Sequence, residues 1–277
     1  MRAPHIAIMA RALTYAVLES RALIALSGPD WRSFLQGLIT QDVETMAPGQ
    51  LRFGALLTPQ GRLLYDLFVV ARDDGVWLDV EAADREAILQ RLAMYRLRAK
   101  VEIVADDRPV SVVFPGARIA VSGHIPDPRL AELGCRGYGV GVPAAAILAD
   151  ESTYDAHRMA LGVPGPADWG ADKTYPIEAN FDLLQGIDFQ KGCFVGQETT
   201  SRMKRRGVIK SRMLPITFDG PPPAPGTEVL AGDLRAGVVT SGIDGWAMAL
   251  VRLDRIDGAL NVGGRPVETA RPAWMPQ

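Results

Sequence analysis

The chain has 277 residues, 48% of them hydrophobic and 22% charged, with a net charge of −2. That length buries a sizeable core and fits one large or two ordinary domains. The near-neutral balance gives no global reason to expect nucleic acid or an anionic membrane as the main partner, so both are set aside and local patches are judged separately. Two cysteines, Cys135 and Cys193, make no disulfide framework and point to a reducing compartment, so a cytoplasmic protein is expected. His5, His124 and His157 lack the spacing of a zinc site and no Cys-x-x-Cys is present, so no structural metal is expected. No apolar run reaches the length of a membrane span.

The N-terminal stretch carries Arg2 and Arg11 with no acid before Glu19. Its apolar run is broken and follows Pro4 and His5, so it reads as an ordinary first strand rather than a targeting segment. A second short strand is expected over 21–26. Ser27-Gly-Pro-Asp then opens a helix with Pro29 in its first turn, and Trp31, Phe34, Leu35 and Leu38 form its apolar face. Three strands follow, Gln50–Leu57, Leu63–Ala71 and Val76–Glu81. Thr58-Pro-Gln-Gly61 and Asp73-Asp-Gly75 separate them, in the grammar of antiparallel hairpins. Asp84 to Arg98 reads as a helix, with Ile88, Leu89, Leu92 and Tyr95 on one side, and Lys100–Val104 as a strand.

The next stretch looks like a looser copy of the first. Strands are expected at Val110–Phe114, Arg118–Val121 and Gly137–Val142, and a helix from Thr153 to Leu161 closed by Gly162 and Pro164. Residues 162–176 read as loop. From Met213 the chain changes to short, regularly spaced strands: Met213–Phe218, Glu228–Ala231, Ala236–Ser241 and Ala247–Arg252. With a stiff Pro221–Pro225 connector, these predict a small barrel. A boundary near 208 divides the chain into 1–208 and 209–277.

The segment densest in chemistry is Lys191-Gly-Cys-Phe-Val-Gly-Gln-Glu198. Gly192 and Gly196 permit backbone conformations that other residues avoid. A helix over Val195–Lys204 places Cys193 just before a helix N-terminus, with Lys191 two residues away. Both features favour a thiolate. The alternative is a small buried apolar cysteine, and composition alone leaves the two open.

That segment, with Phe194 in the aromatic slot, is similar to the signature of the YgfZ family, relatives of the glycine-cleavage T-protein that support iron–sulfur enzymes. Further resemblance lies in Phe34–Val43, Leu57–Asp66, Tyr95–Val101, the Tyr154, Arg158, Gly162 and Pro164 pattern leading to Glu178-Ala-Asn180, and Val239–Gly242. The resemblance implies an α+β fold: a two-lobed, pseudo-duplicated folate-binding domain, then a C-terminal antiparallel β-barrel, enclosing a central channel for tetrahydrofolate or a folate derivative. It implies that Glu178, with Asn180, holds the pterin edge, because a carboxylate matches paired N–H donors. Tyr154 would wall the ligand, and Arg202, in a basic stretch reaching Arg212, would meet its glutamate tail. A loop carboxylate and ordinary helix packing are the plainer readings of Glu178 and Tyr154.

Asp66 matches the T-protein's important aspartate, but Tyr65 stands where a second aspartate is usual, which puts aminomethyl transfer in doubt. The resemblance therefore implies an accessory factor for assembly or repair of iron–sulfur proteins, partnered by folate and by client or assembly proteins. In it Cys193 would be the reactive thiol, Lys191 its activator, and Gly192, Phe194, Gly196, Gln197 and Glu198 the frame. The alternatives are a tetrahydrofolate-dependent one-carbon transferase, the form an enzyme would take here, and a tRNA-modification partner using residues 202–212. The lack of aromatic interleaving in that stretch weighs against the last.

Overall fold

The computed structural model describes residues 13–116, 123–144, 146–269 and 271–276. The strands are β1 (Thr14–Val17), β2 (Arg21–Ser27), β3 (Leu51–Leu57), β4 (Leu63–Arg72), β5 (Gly75–Glu81), β6 (Glu102–Asp106), β7 (Val110–Phe114), β8 (His124–Pro126), β9 (Cys135–Tyr138) and β10 (Ile147–Leu148). The barrel strands are β11 (Ser211–Thr217), β12 (Glu228–Ala231), β13 (Leu234–Ile243), β14 (Trp246–Arg252), β15 (Leu260–Val262) and β16 (Arg265–Thr269). The helices are α1 (Trp31–Gln36), α2 (Arg85–Arg96), α3 (Glu151–Ala160), α4 (Pro166–Trp169) and α5 (Gln197–Arg206).

Two five-stranded sheets form the first part, in the orders β3-β4-β5-β2-β6 and β10-β1-β7-β9-β8. The chain lays β1 into the second sheet before it builds the first, so the two lobes interlock. The barrel closes as β11-β14-β13-β12-β15-β16, with β16 returning to β11. The expected α+β architecture with a terminal barrel is the one observed.

Strand alternation decides which side chains meet between the sheets. On β5, Val76, Leu78 and Val80 are fully buried in a core with α1 and α2 residues such as Trp31, Leu35, Ile88 and Leu92. The intervening Trp77, Asp79 and Glu81 therefore face the other way, toward the second sheet. On β4, Leu67, Val69 and Ala71 join that outer core, while Phe68 and Val70 join the inner one. The inner core gathers Phe53, Phe68, Phe114, Trp169 and Phe181 with Met213 and Met248 of the barrel. Phe53 stacks between Phe68 and Phe181, with ring centroids 5.0 and 4.7 Å away.

Several boundaries differ from expectation. The helix expected to reach Arg98 stops at Arg96, because Leu97 turns to φ +42°. The strand expected over Gly137–Val142 lies earlier, at Cys135–Tyr138, and β8 and β10 carry too few residues to show a period. The loop 162–176 contains the short helix α4. The strand expected at Arg118–Val121 lies outside the described residues.

Candidate functional site

The Lys191–Glu198 loop is built against two earlier pieces of chain. The residues before it are laced to the stretch after α1: Thr40 Oγ1 donates to Gly186 O at 2.6 Å, Gln41 Nε2 to Gln185 O at 2.7 Å, and Asp188 N to Thr40 O at 2.9 Å. Val195 N then donates to Gly37 O at 3.1 Å. On the other side the loop meets the hairpin turn after β3. A Cβ on Gly196 would sit 2.6 Å from Thr58 O and 2.9 Å from Gly61 Cα. One on Gly61 would sit 2.9 Å from Gly196 O and from Thr199 Cβ. Both glycines have positive φ, +83° and +82°, so this back-to-back contact needs glycine on each side. Gly192 has open space about it and is not in the left-handed region, so of the loop's two glycines it is Gly196 that uses the freedom both permit.

Cys193 is exposed and free at the crest of this loop. The buried reading of this cysteine is thereby excluded, and Cys135 takes that role instead. Both features expected to act on the thiol lie elsewhere. The helix begins at Gln197 with Gly196 as its N-cap, leaving Cys193 in the preceding loop. Lys191 Nζ donates to Gln36 O at 2.6 Å and Ile39 O at 2.7 Å. There it caps the carbonyl end of α1, where a cation complements the exposed carbonyls. Burial pulls its amine down to about 8, against the opposing pull of Asp42, Asp188 and Glu44. Its ammonium also lies 5.1 Å from the centre of the buried Phe194 ring. Lys191 is thus the loop's anchor.

Asp66 and Tyr154 do meet, in a cavity of about 50 Å³ that they line with Arg21, Glu81, Arg129 and Arg136. Asp66 is held by Arg21 Nη1 at 3.1 Å. Behind it lies fully buried Asp79, which accepts from Arg21 Nε at 2.7 Å, Arg136 Nη2 at 2.7 Å and the Tyr138 hydroxyl at 3.2 Å. Burial pushes the Asp79 carboxyl up, but the Arg136 and Arg21 guanidiniums outweigh it and hold the acid below its ordinary value. Since Asp79 is on β5 and Arg136 on β9, this network ties the two sheets together. Sequence reasoning passed over Asp79, Arg21 and Arg136. The one available signal was an aspartate at an inward position of an otherwise apolar strand.

Glu81 shares this cavity. Burial raises its carboxyl to about 7; Arg21 opposes, while Asp66, Asp84 and Glu151 add to the rise. The folded chain therefore keeps a proton that the unfolded chain, at an ordinary 4.5, gives up. This contribution to stability is complete below that ordinary value and is lost as pH rises through about 7. Asp79 does not blur the window, because its value is depressed from 3.8. Urea unfolding is expected to show stability falling across this window, and Glu81→Gln is expected to reduce the slope, leaving the share of Glu178, whose carboxyl burial also raises.

The remaining expected residues stand apart from that cavity. Glu178 Oε2 accepts the Tyr175 backbone N–H at 3.0 Å. Burial raises its carboxyl, with the Tyr175 N–H and Arg62 opposing. Asn180, at φ +63° and fully buried, donates to Met213 O at 2.7 Å and accepts from Arg212 Nη1 at 3.1 Å. Its amide is thus spent on fastening the barrel. Arg202 is exposed on α5. The basic stretch is not one surface, because Arg212 is buried in a pair with Asp182, to which Lys204 also reaches.

A second, open cleft of about 610 Å³ lies between the lobes, lined by Gln50, Arg52 and Phe53 on one side, Ile125 and Pro128 on the other, and Gln185 and Asp188 below. Phe53 lines this cleft and Phe68 the small cavity, and Arg129 lies over both rings at 5.3 and 4.8 Å. Ligand sites span roughly 300–1,000 Å³; the Asp66 cavity falls below that range and the open cleft within it. Among the described residues no group of three or more His, Cys, Asp or Glu is placed to hold a metal.

Residues 210–277 match the model of the CAF17 C-terminal β-barrel domain. The chain is 30% identical to the human protein named iron-sulfur cluster assembly factor IBA57, mitochondrial, over 94% of this chain and 84% of that one. A homologue of the same name from Neurospora crassa is 31% identical over 74% of this chain, which spans only 54% of its length. Among solved structures, the glycine cleavage aminomethyltransferase T of Bartonella henselae aligns with a TM-score of 0.76 over 95% of this chain and 86% of that one. At 17% identity this is a likeness of fold alone. The expected cytoplasmic placement is overturned by these names, which point to mitochondria rather than cytoplasm.

Proposed function

Because this chain belongs to the family of the mitochondrial iron–sulfur cluster assembly factor IBA57, we propose that it is an accessory factor for the assembly or repair of iron–sulfur proteins, acting through Cys193. The observation that carries this reading is an exposed thiol on a loop fixed at both ends: by Lys191 and Val195 on α1 and its exit, and by Gly196 on the hairpin turn. A surface side chain with no positional role in the fold, held on so rigid a frame, is suited to meeting another molecule at a defined place. One cysteine supplies a single ligand, so a cluster passing through this site takes its other ligands from a partner. Candidate partners are assembly proteins or the clients that receive the cluster. A strain lacking the chain is expected to lose activity of iron–sulfur enzymes and regain it with the wild-type chain; unchanged activities in that strain would remove this reading.

Folate binding belongs to the same proposal, in the open cleft and not beside Asp66. Ile125 and Pro128 offer an apolar wall there, and Gln50, Arg52 and Asp188 stand as polar groups at its edge. When bound, a tetrahydrofolate supplies a carrier for one-carbon units. The ion pair of Asp66 with Arg21 disfavours the transferase reading. Titration with tetrahydrofolate, followed by calorimetry, is expected to show binding that Gln50→Trp abolishes by filling the cleft from an exposed position. Loss of binding in Glu178→Ala with retention in Gln50→Trp would return the ligand to the carboxylate that the family resemblance implied.

A further inference from the structure

The Tyr95-Arg-Leu-Arg-Ala-Lys100 segment is used by neither the cleft nor the thiol loop. Residues 93–98 are exposed without a break. Met94 is 69% exposed and Leu97 89%, with Tyr95 at 38% beside them. Single apolar side chains are common on protein surfaces, but three within four residues at one helix end are a concentration that calls for a partner. Leu97 sits at φ +42°, a region that bulky side chains avoid. The backbone is therefore held in a costly conformation that presents this side chain to solvent.

Arg96, Arg98 and Lys100 alternate with these residues or follow them in sequence, all exposed. The ion pairs nearest in sequence, Arg85–Asp107 and Arg108–Asp106, lie away from this tip. Of the acids close by, Asp30 accepts the backbone N–H of Lys100, and Glu102 is turned to the Ser27 hydroxyl. Among the described residues no ion pair reaches these three cations, which leaves them to an outside partner.

We infer that this tip is a peripheral docking site for an anionic phospholipid surface. Met94 and Leu97 enter the boundary between headgroups and acyl chains, Tyr95 lies at headgroup level, and the three cations meet the phosphates. Protrusion favours a bilayer over a protein partner. A side chain as exposed as Leu97 stands clear of its surroundings, and a deformable phase receives it without a matching groove. Charge complementarity points the same way, each cation near an anionic surface adding roughly fivefold to partitioning. No helix among the described residues is long and apolar enough to cross a membrane, so the contact is one of lying on the surface. The local patch here departs from the charge balance of the whole chain, which had set membranes aside.

The test is sedimentation of the full chain with phosphatidylcholine vesicles, with and without phosphatidylglycerol. Binding to the anionic vesicles is expected, weakened by salt, and reduced at least about tenfold both by Arg96→Glu with Arg98→Glu and by Met94→Ser with Leu97→Ser. All these positions are exposed, so unchanged thermal unfolding of the variants confirms that the fold is kept. Failure of the wild type to sediment with anionic vesicles, or sedimentation of both double variants like the wild type, would overturn the inference. A change of oligomeric state in Met94→Ser with Leu97→Ser, without vesicle binding, would overturn it in favour of a second copy of the chain.

Discussion

Asp79→Ala is expected to destabilise the protein by about 3–5 kcal/mol, more than any other single change considered. The carboxylate is fully buried and accepts from Arg21, Arg136 and Tyr138. Removing it leaves Arg21 to Asp66 and Glu81 alone, and leaves Arg136 with only Asp127 at 3.9 Å as a counter-charge. The two arginine side chains are 6% and 2% exposed, too little for water to replace the lost partner. The Arg136 guanidinium lies 3.9 Å from the centre of the Phe68 ring, so it cannot swing out without opening the aromatic core. Tyr138→Phe removes one hydrogen bond from the same carboxylate and is expected to cost only about 1 kcal/mol. Denaturant unfolding of both variants separates loss of the charge from loss of one contact. An Asp79→Ala protein within about 1 kcal/mol of wild type would mean that the two sheets are held together by their apolar faces alone.

Gly196→Ala is expected to cost on the order of 3 kcal/mol, lowering the melting temperature by about 6–12 °C. Two effects act together. The residue is at φ +83°, and the added Cβ meets the Thr58 carbonyl at 2.6 Å, which is backbone and cannot rotate aside. Gly61→Ala meets the same contact from the other side and is expected to behave alike. The double variant is expected to cost less than the sum, because the first methyl already parts the turn from the loop. Gly192→Ala, with open space around it, is expected to change stability by less than about 0.5 kcal/mol. Equal melting temperatures for the Gly192→Ala and Gly196→Ala proteins would contradict this account of the loop.

These two sites also mark what the sequence makes legible. The hairpins from β3 to β5, α1 and the barrel strands follow from alternation, turn residues and spacing, all of which act over a few neighbours. The face of β5 that carries Asp79 is readable in the same way, as the off-phase positions between Val76, Leu78 and Val80. Its partner Arg136 is on another sheet and leaves no periodic trace. The same holds for Lys191, whose position beside Cys193 suggested an activator although its charge caps α1. The Thr58–Gly61 turn and the Lys191–Glu198 loop were each visible as motifs. That Gly61 and Gly196 press together is a property of the tertiary fold. The family resemblance supplied what local pattern cannot: the architecture as a whole and the weight given to the cysteine. It also named ligand residues, of which Asp66 is here tied to Arg21 and Asn180 to the barrel.

The central claim is that the exposed Cys193 thiol is the working group of this protein, and the most direct measurement of it is rescue of iron–sulfur enzyme activity in a strain lacking the chain. Cys193 makes no contact that the fold depends on, so Cys193→Ala is expected to be made and folded at wild-type levels while failing to restore those activities. Full restoration by a folded Cys193→Ala protein would contradict the account and leave the cleft between the lobes as the place where the protein acts.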